Sequence, residues 1–271
     1  MEMSHDPIAT YGQESQLEQR IETLNGGSIA MFSARAPNKT TVNEDAYAVI
    51  PVDEQTLILA VADGAGGLPH GNLAARFAIE SLIEAVTDGR GEAPRVSIVN
   101  GFEQGQKKIC EQIPGAATTL IVVEITNRTA RTYHAGDSGA CIIGGRSKMK
   151  GYTVFHSPTG YAVEAGLLSE DEAMYHEARH IVSNVLGDPN MSVEIGTTVD
   201  LAPNDTIVIA SDGLYDNLFR EEVGALACRG SLEFACRTLI EVTTTRMLNP
   251  YSDGPSKPDD LTVLMYRQNR S

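Results

Sequence analysis

The stretch Leu57-Ile58-Leu59-Ala60-Val61-Ala62-Asp63-Gly64 decides how this chain folds. Its apolar run is typical of a buried strand, and the glycine after the aspartate lets the backbone turn. The same pattern returns where Ile207-Val208-Ile209-Ala210-Ser211 is followed by Asp212-Gly213. We therefore expect two rigid strands, each of which holds a carboxylate at the edge of a sheet.

Two further acidic positions repeat this arrangement. Asp137 lies in His134-Ala135-Gly136-Asp137-Ser138, and the pair Asp259-Asp260 directly precedes the apolar segment 261–266. A single acid of this kind is usually a turn former, but several at strand ends indicate a common site. Mg²⁺ and Mn²⁺ bind carboxylate, carbonyl and water oxygens. The sequence therefore predicts a site for hard divalent cations.

The order of the predicted elements indicates the fold class. Apolar residues at helical spacing predict two helix pairs, at 71–86 with 94–113 and at 221–229 with 232–247. Strand-like segments lie at 28–33, 46–52, 56–62, 118–125, 131–134, 140–143, 193–199, 206–210 and 261–266. Because strands and helices do not alternate, this order predicts an α+β fold. In it, two antiparallel β-sheets pack as a central sandwich flanked by the helix pairs.

Length and composition predict a single large domain. The chain has 271 residues, 42% of them hydrophobic, and shows no evident linker or repeat, so it can bury one sizeable core. Residues 1–27 are polar and acidic. We expect them to be a loosely ordered lead-in with a short helix near 16–24, and residues 28–271 to form the domain.

Charge and cysteine content limit the classes of partner. A net charge of −15 argues against nucleic acid and against anionic membranes, because both are bound through Lys and Arg. The cysteines form no Cys-x-x-Cys pair and no zinc-type cluster, so we interpret them as structural thiols. No apolar run approaches the roughly 20 residues of a membrane span, and the N-terminus lacks the pattern of a secretion signal. These features predict a cytoplasmic protein.

The segment Asn43-Glu44-Asp45-Ala46 adds two acids directly before a predicted strand. In chain order the acidic motifs are Asn43-Glu44-Asp45-Ala46, Asp63-Gly64, Gly136-Asp137-Ser138, Ser211-Asp212-Gly213 and Asp259-Asp260-Leu261-Thr262. Together they resemble the metal-dependent protein phosphatases, the PPM family of type 2C serine/threonine phosphatases, over residues 28–266. The compact domain without extra sensor segments is more similar to the bacterial members than to the eukaryotic ones.

This resemblance implies a dinuclear centre of Mg²⁺ or Mn²⁺ at one end of the sandwich. Asp63 would bridge the two ions, and Gly64 would offer its backbone carbonyl to one of them. Asp212 and Asp259 would complete the shell of the other ion.

Further roles are implied for the remaining acids. Glu44 and Asp45 would hold ion-bound waters. Asp137, together with Asp212, matches the position of a third, weaker ion. Residues 161–190 are similar to the family's variable flap beside the cleft.

The chain departs from the family pattern in several places. Thr40 stands where relatives carry an arginine that grips the substrate phosphate. Lys39 beside it can neutralise phosphate but lacks the bidentate fork of arginine, which predicts weaker substrate binding. Asp260 replaces the usual asparagine and adds a charge beside the ions. His156, which does not lie near the acids in sequence, is interpreted as a surface or flap residue.

The implied activity is hydrolysis of phosphoserine and phosphothreonine in proteins by a metal-activated water, without a covalent intermediate. The implied partner is a phosphorylated protein substrate of a Ser/Thr kinase, and we expect a monomer. One alternative is a pseudophosphatase that binds phosphoproteins or a kinase without turnover, for which Thr40 is the motive. Another is a different dinuclear-metal hydrolase, such as a small-molecule phosphatase or a nuclease; the acidic charge argues against the nuclease.

Overall fold

Two antiparallel β-sheets form the centre of the computed structural model, which describes residues 6–12, 19–249 and 254–269. Within those residues the first sheet has the strand order β1-β4-β5-β6-β7-β10, and β11 also pairs with β7. Its strands are β1 (Ile8–Thr10), β4 (Asp45–Pro51), β5 (Thr56–Asp63), β6 (Leu120–Thr126), β7 (Thr129–Ala135), β10 (Glu194–Ile195) and β11 (Val199–Asp200).

The second sheet has the order β2-β3-β13-β12-β8-β9 within the same ranges. Its strands are β2 (Arg20–Leu24), β3 (Gly27–Ala34), β8 (Gly139–Ile143), β9 (Met149–Tyr152), β12 (Thr206–Ala210) and β13 (Leu261–Gln268). The two strands that precede Asp212 and follow Asp259, β12 and β13, are antiparallel neighbours. The sheet therefore brings both aspartates to the same edge.

The central strands are buried on both faces, which explains their uninterrupted apolar sequence. On β5, Leu57 and Leu59 pack between the two sheets, whereas Ile58 and Ala60 pack under the outer helices. Successive side chains of a strand point to opposite faces, so both sets must be apolar. The strand can then shift its register only by losing packing on both sides.

Helices cover both outer faces of the sandwich. Helices α1 (Gly71–Asp88) and α2 (Pro94–Gln112) pack on the first sheet, and α6 (Arg220–Ala227) and α7 (Leu232–Leu248) pack on the second. Between them, the flap region carries α3 (Pro158–Glu164) and α4 (Glu170–Met174), and α5 (Asp212–Tyr215) follows β12. The predicted α+β sandwich with flanking helix pairs is confirmed.

The N-terminal lead-in differs from the prediction. β1 pairs with the outer edge of β4, and β2 pairs with the outer edge of β3. The predicted helix near 16–24 is therefore wrong for 20–24, and its first residues, 16–18, lie outside the described ranges. The open edges of β3 and β4 offer backbone hydrogen-bond partners to a polar segment, and this contact is not visible in the local sequence.

Among the helices of the described residues, none has the combination of length and apolarity that crossing a membrane requires.

Candidate active site

The acidic motifs meet at one end of the sandwich. Asp45 at the start of β4 lies opposite Asp63 at the end of β5, in register across the antiparallel pair. Asp212 and Asp259 reach the same end from the neighbouring strands β12 and β13 of the other sheet. Asp137 lies in the turn that joins β7 to β8. This turn connects the first sheet to the second.

The electrostatics of Asp63 show how closely these carboxylates approach. Burial raises the pKa of Asp63 well above its usual range, and the negative charges of Asp45, Asp212, Asp259 and Asp137 raise that pKa further. Such crowding disfavours the fully ionised cluster, because each carboxylate loses hydration and gains a like-charged neighbour. A bound cation would remove that penalty.

Two buried oxygens in the cluster fit a metal site. Asp45 Oδ2 accepts a hydrogen bond of 2.9 Å from the Ser211 hydroxyl, whereas Asp45 Oδ1 is buried without a partner. Asp212 Oδ1 is likewise buried and unpartnered. A buried carboxylate oxygen without a hydrogen bond is costly in a protein interior, and a divalent cation is a fitting partner for two of them.

Glycines after the two strand-end aspartates are required by close backbone approach. A Cβ at Gly64 would overlap the backbone of Gly71 at the start of α1, and a Cβ at Gly213 would overlap the carbonyl of Asp260. The Gly64 N–H also donates to the Glu44 carbonyl at 3.2 Å. The Asp-Gly pairs therefore let the acidic loops lie directly against one another.

Asp260, the predicted extra charge, organises the loop that carries Glu44. Its Oδ1 accepts from the Ala36 N–H at 2.7 Å, and its Oδ2 accepts from the Glu44 N–H at 2.7 Å. The Lys39 ammonium donates to Asp260 Oδ2 at 2.6 Å and to Glu44 Oε2 at 2.9 Å. The charge of Asp260 is therefore balanced by Lys39, while Thr40 is exposed.

Two residues of the site were missed by the sequence reasoning. Asp216 lies one helical turn after Asp212, and burial together with the charge of Asp212 raises the pKa of Asp216 to about 7. The Lys257 ammonium donates to Asp212 Oδ2 at 2.7 Å. Burial opposes ionisation of Asp212, but the adjacent Lys257 charge holds the pKa of Asp212 below its usual value.

A sequence signal existed for only one of these residues. The spacing of four between Asp212 and Asp216 places both acids on one face of a helix, which could have been recognised. Lys257 precedes Asp259 by two residues, but its contact with Asp212 spans 45 residues. Nothing local predicts that contact.

His156 is buried, so its interpretation as a surface or flap residue is wrong. Its ring stacks on that of His134, with 4.2 Å between the ring centroids, and its Nε2 lies 3.2 Å from Glu194 Oε2. These three residues are close enough to suggest a metal site of their own. However, the Gly136 N–H donates to His156 Nδ1 at 3.1 Å.

That hydrogen bond fixes the tautomer of His156. Because Nδ1 accepts from Gly136, neutral His156 carries its proton on Nε2 and donates it to Glu194. Nε2 then carries the proton and Nδ1 already accepts a hydrogen bond, so neutral His156 has no free lone pair for a metal. His156 instead connects the turn at Gly136 to the flap, since the side chain of Asn184 also donates to His156 Nδ1 at 2.9 Å.

A cavity of about 70 Å³ adjoins the acidic cluster beneath the flap. Its walls combine Asp137 and Asp216 with the apolar side chains of Val163 and Met174 from the flap, Phe155 from the loop after β9 and Tyr215 from α5. Residues of the segment 161–190 therefore line the same cavity as Asp137 and Asp216.

Comparisons with known proteins agree with this geometry. Residues 35–249 match the family model described as Protein phosphatase 2C. A probable protein phosphatase 2C 55 of Arabidopsis thaliana is 29% identical over 191 residues, which make up 70% of this chain and 36% of that protein. The serine/threonine phosphatase stp of Listeria innocua is 25% identical over 238 residues, 84% of this chain and 90% of that protein. The solved catalytic domain of the phosphatase PstP, in complex with 2 manganese ions, has a TM-score of 0.72 and 21% identity, over 89% of this chain and 98% of that one.

Proposed function

Because the chain belongs to the protein phosphatase 2C family, we propose that it removes phosphate from phosphoserine and phosphothreonine with the help of two divalent ions, Mg²⁺ or Mn²⁺. It is a metal-dependent serine/threonine protein phosphatase of the bacterial type, as the resemblance predicted. The observation that carries the proposal is the meeting of Asp63 with four other aspartates at one end of the sandwich, namely Asp45, Asp137, Asp212 and Asp259. The number and identity of the ions follow by analogy with the PstP domain solved with manganese.

The ligand roles are proposals that the geometry supports. Asp63 lies among the other carboxylates, as a residue that bridges two ions must. Asp212 offers its unpartnered Oδ1, and Asp259 projects from the edge of the same sheet. Gly64 is proposed to contribute its carbonyl. Asp137 is proposed to border the ions from the turn between the sheets.

Asp45 and Glu44 are proposed to position the attacking water. When bound, divalent ions lower the pKa of a water molecule and screen the charge of the phosphoryl oxygens. Asp45 is suited to accept a hydrogen bond from that water, because Ser211 fixes one of its oxygens and leaves Oδ1 without a partner. Glu44 is held beside it through Lys39.

The two buried cysteines are poorly suited to act as nucleophiles. Cys141 and Cys236 are buried, and burial raises the pKa of Cys141 to about 11 and that of Cys236 to about 12. A catalytic thiol requires a lowered pKa. Direct attack by water therefore fits the chain better than a covalent intermediate.

Lys39 is proposed to contact the substrate phosphate, although weakly. Two of the three N–H donors of its ammonium group are already used by Glu44 and Asp260. Its side chain remains 20% exposed, so one donor can face a phosphate oxygen. This arrangement supplies a single hydrogen bond where arginine would supply two.

The physiological setting is also a proposal. We infer a cytoplasmic enzyme that opposes a Ser/Thr kinase, supported by the similarity to the Listeria phosphatase and by four free cysteines, which are common in reducing compartments. We also propose that the chain acts as a monomer. The alternative of a pseudophosphatase gains no support, since the similar proteins are named as serine/threonine phosphatases.

Turnover of p-nitrophenyl phosphate and of a phosphothreonine peptide, each with Mn²⁺, Mg²⁺ or EDTA, tests the proposal. We expect turnover that requires added metal and is lost in Asp63→Asn. The matched control is Asp53→Asn, an exposed turn aspartate remote from the cluster. Full turnover in Asp63→Asn, or none in the folded, metal-loaded wild type, would contradict the proposed mechanism; the second result would favour the phosphoprotein-binding alternative.

A further inference from the structure

Lys257 places a positive charge inside the acidic cluster. Its Nζ donates to Asp212 Oδ2 at 2.7 Å and to Asp216 Oδ2, and it lies 3.4 Å from Asp259 Oδ2. The side chain is 23% exposed, so most of its surface is covered by these carboxylates and their neighbours. One ammonium group is therefore shared by three acids.

The backbone of Lys257 is fixed in this position. The buried side chain of Asn217 donates to the Lys257 carbonyl at 2.8 Å and accepts from the Lys257 N–H at 2.8 Å. The same amide donates to the Gly213 carbonyl at 2.9 Å. Asn217 thus connects the segment of Lys257 directly to the helix that begins with Asp212, and the position of the ammonium group follows from the fold.

Asp212 is one of the two acids, with Asp137, for which the family resemblance implies a third ion, and it contacts Lys257. The charges of Asp212 and Asp216 act on Asp137, and Lys257 opposes them. The two oxygens of Asp212 are divided: Oδ2 accepts from Lys257, and Oδ1 has no partner. A divalent ion can therefore bind at Oδ1, whereas the negative charge at Oδ2 is already balanced by the Lys257 ammonium group.

We propose that the Lys257 ammonium group replaces a third divalent ion among Asp137, Asp212 and Asp216, so that the site holds two divalent ions and excludes another. A divalent ion placed among these three acids, within about 4 Å of the ammonium group, would be repelled by its positive charge, because water screens charges poorly in a partly buried site. The inference rests on the proposed function, because it concerns the same metal centre. It assigns to Lys257 a structural charge that remains present when metal is removed.

Equilibrium dialysis against Mn²⁺, with the bound metal measured by mass spectrometry, tests this inference. We expect two ions per wild-type chain and three in Lys257→Met, which keeps the unbranched side chain and removes the charge. Lys257→Arg should bind two ions. The matched control is Lys150→Met, which removes a lysine paired with a buried aspartate, Asp205, outside the site; it should also bind two.

Thermal unfolding in EDTA gives a second readout that does not depend on activity. Lys257→Met should melt at a lower temperature than the wild type in EDTA, because three acids lose their shared counter-charge, and it should gain more from added Mn²⁺. Lys257→Gln serves the same purpose if the methionine variant does not fold.

Three bound ions in the wild type, or two in a folded neutral variant, would overturn the inference while leaving metal-dependent turnover intact. A wild-type chain that binds no Mn²⁺ and has no turnover would instead overturn the proposed function.

Discussion

At the scale of single residues, one departure from the family pattern, Asp260, has its charge balanced by a neighbouring lysine. Asp260 introduces a negative charge where the family resemblance implies a neutral asparagine, and Lys39 supplies the positive charge that balances it. The carboxylate of Asp260 is only 4% exposed, and a buried charge is costly unless it has partners. The pair therefore holds the loop with Glu44 through charge, where an asparagine would use neutral hydrogen bonds.

Removing Lys39 alone should destabilise the chain more than removing both charges. Lys39→Met leaves the buried Asp260 carboxylate without a counter-ion, and we expect a loss of about 2 kcal/mol in the free energy of unfolding. Lys39→Met with Asp260→Asn should recover most of that loss. Urea unfolding in EDTA measures both variants. If the double variant is no more stable than Lys39→Met, the pair does not compensate as described.

Arginine at position 40 should strengthen substrate binding. Thr40 is exposed beside Lys39, and a guanidinium there can make two charge-assisted hydrogen bonds to a phosphate. We expect Thr40→Arg to lower the KM for a phosphothreonine peptide about fivefold, equivalent to about 1 kcal/mol. The control is Thr41→Arg, which adds the same charge at the next exposed position. An equal change in both variants would indicate a general charge effect, and an unchanged KM in Thr40→Arg would mean that Lys39 already performs this role.

At the scale of elements, the turn between β7 and β8 depends on the flap. The Gly136 N–H and the Asn184 side chain both donate to His156 Nδ1, and the Ser183 N–H donates to the His156 carbonyl at 2.7 Å. The turn that carries Asp137 is thus supported by a segment that begins about 20 residues later. Flap and acidic cluster are therefore expected to lose order together.

His134 should make the chain sensitive to acid. Burial, and then the neighbouring His156, lower the pKa of His134 from 6.5 to about 4. The unfolded histidine binds its proton near pH 6.5 and the folded one near pH 4, so stability falls as the pH drops through this window. The loss of stability is about 3 kcal/mol at pH 4 and is complete only below that pH. His134→Gln, whose amide can still donate to the Val154 carbonyl, should flatten the profile.

Urea unfolding in EDTA between pH 4 and pH 7 measures this effect. The groups that face His134 are His156 and Glu194, and both are retained in the variant. His180→Gln changes an exposed histidine and should keep the wild-type slope. An unchanged slope in His134→Gln would show that other groups cause the acid sensitivity.

At the scale of the whole molecule, the proposed metal centre joins the two sheets. Asp45 and Asp63 come from the first sheet, and Asp212 and Asp259 from the second. The sheets otherwise meet through an apolar interface of side chains such as Leu59 and Ile209. Ions bound between the sheets should therefore stabilise the entire fold.

Added Mn²⁺ should raise the melting temperature of the whole chain. At a free concentration of 100 times Kd, one site contributes about 2.7 kcal/mol. That corresponds to roughly 5 to 10 °C for a chain of this size. Calorimetry should show one transition that moves with Mn²⁺ concentration in the wild type and in Asp53→Asn, and does not move in Asp63→Asn. A shift confined to a minor transition would mean that the ions stabilise only a local segment.

The amino-acid sequence by itself determined the central strands, the helix pairs and the strand-end acids. These features are contiguous: an apolar run followed by Asp-Gly contains both the reason for the strand and the reason for its end, as at Asp63 and Asp212. Tertiary structure decided the features that depend on distant partners. The β1 and β2 strands form because other strands leave open edges, and His156 is buried because it packs on His134. Lys257 reaches Asp212 because Asn217 fixes its backbone, a contact that no local pattern encodes.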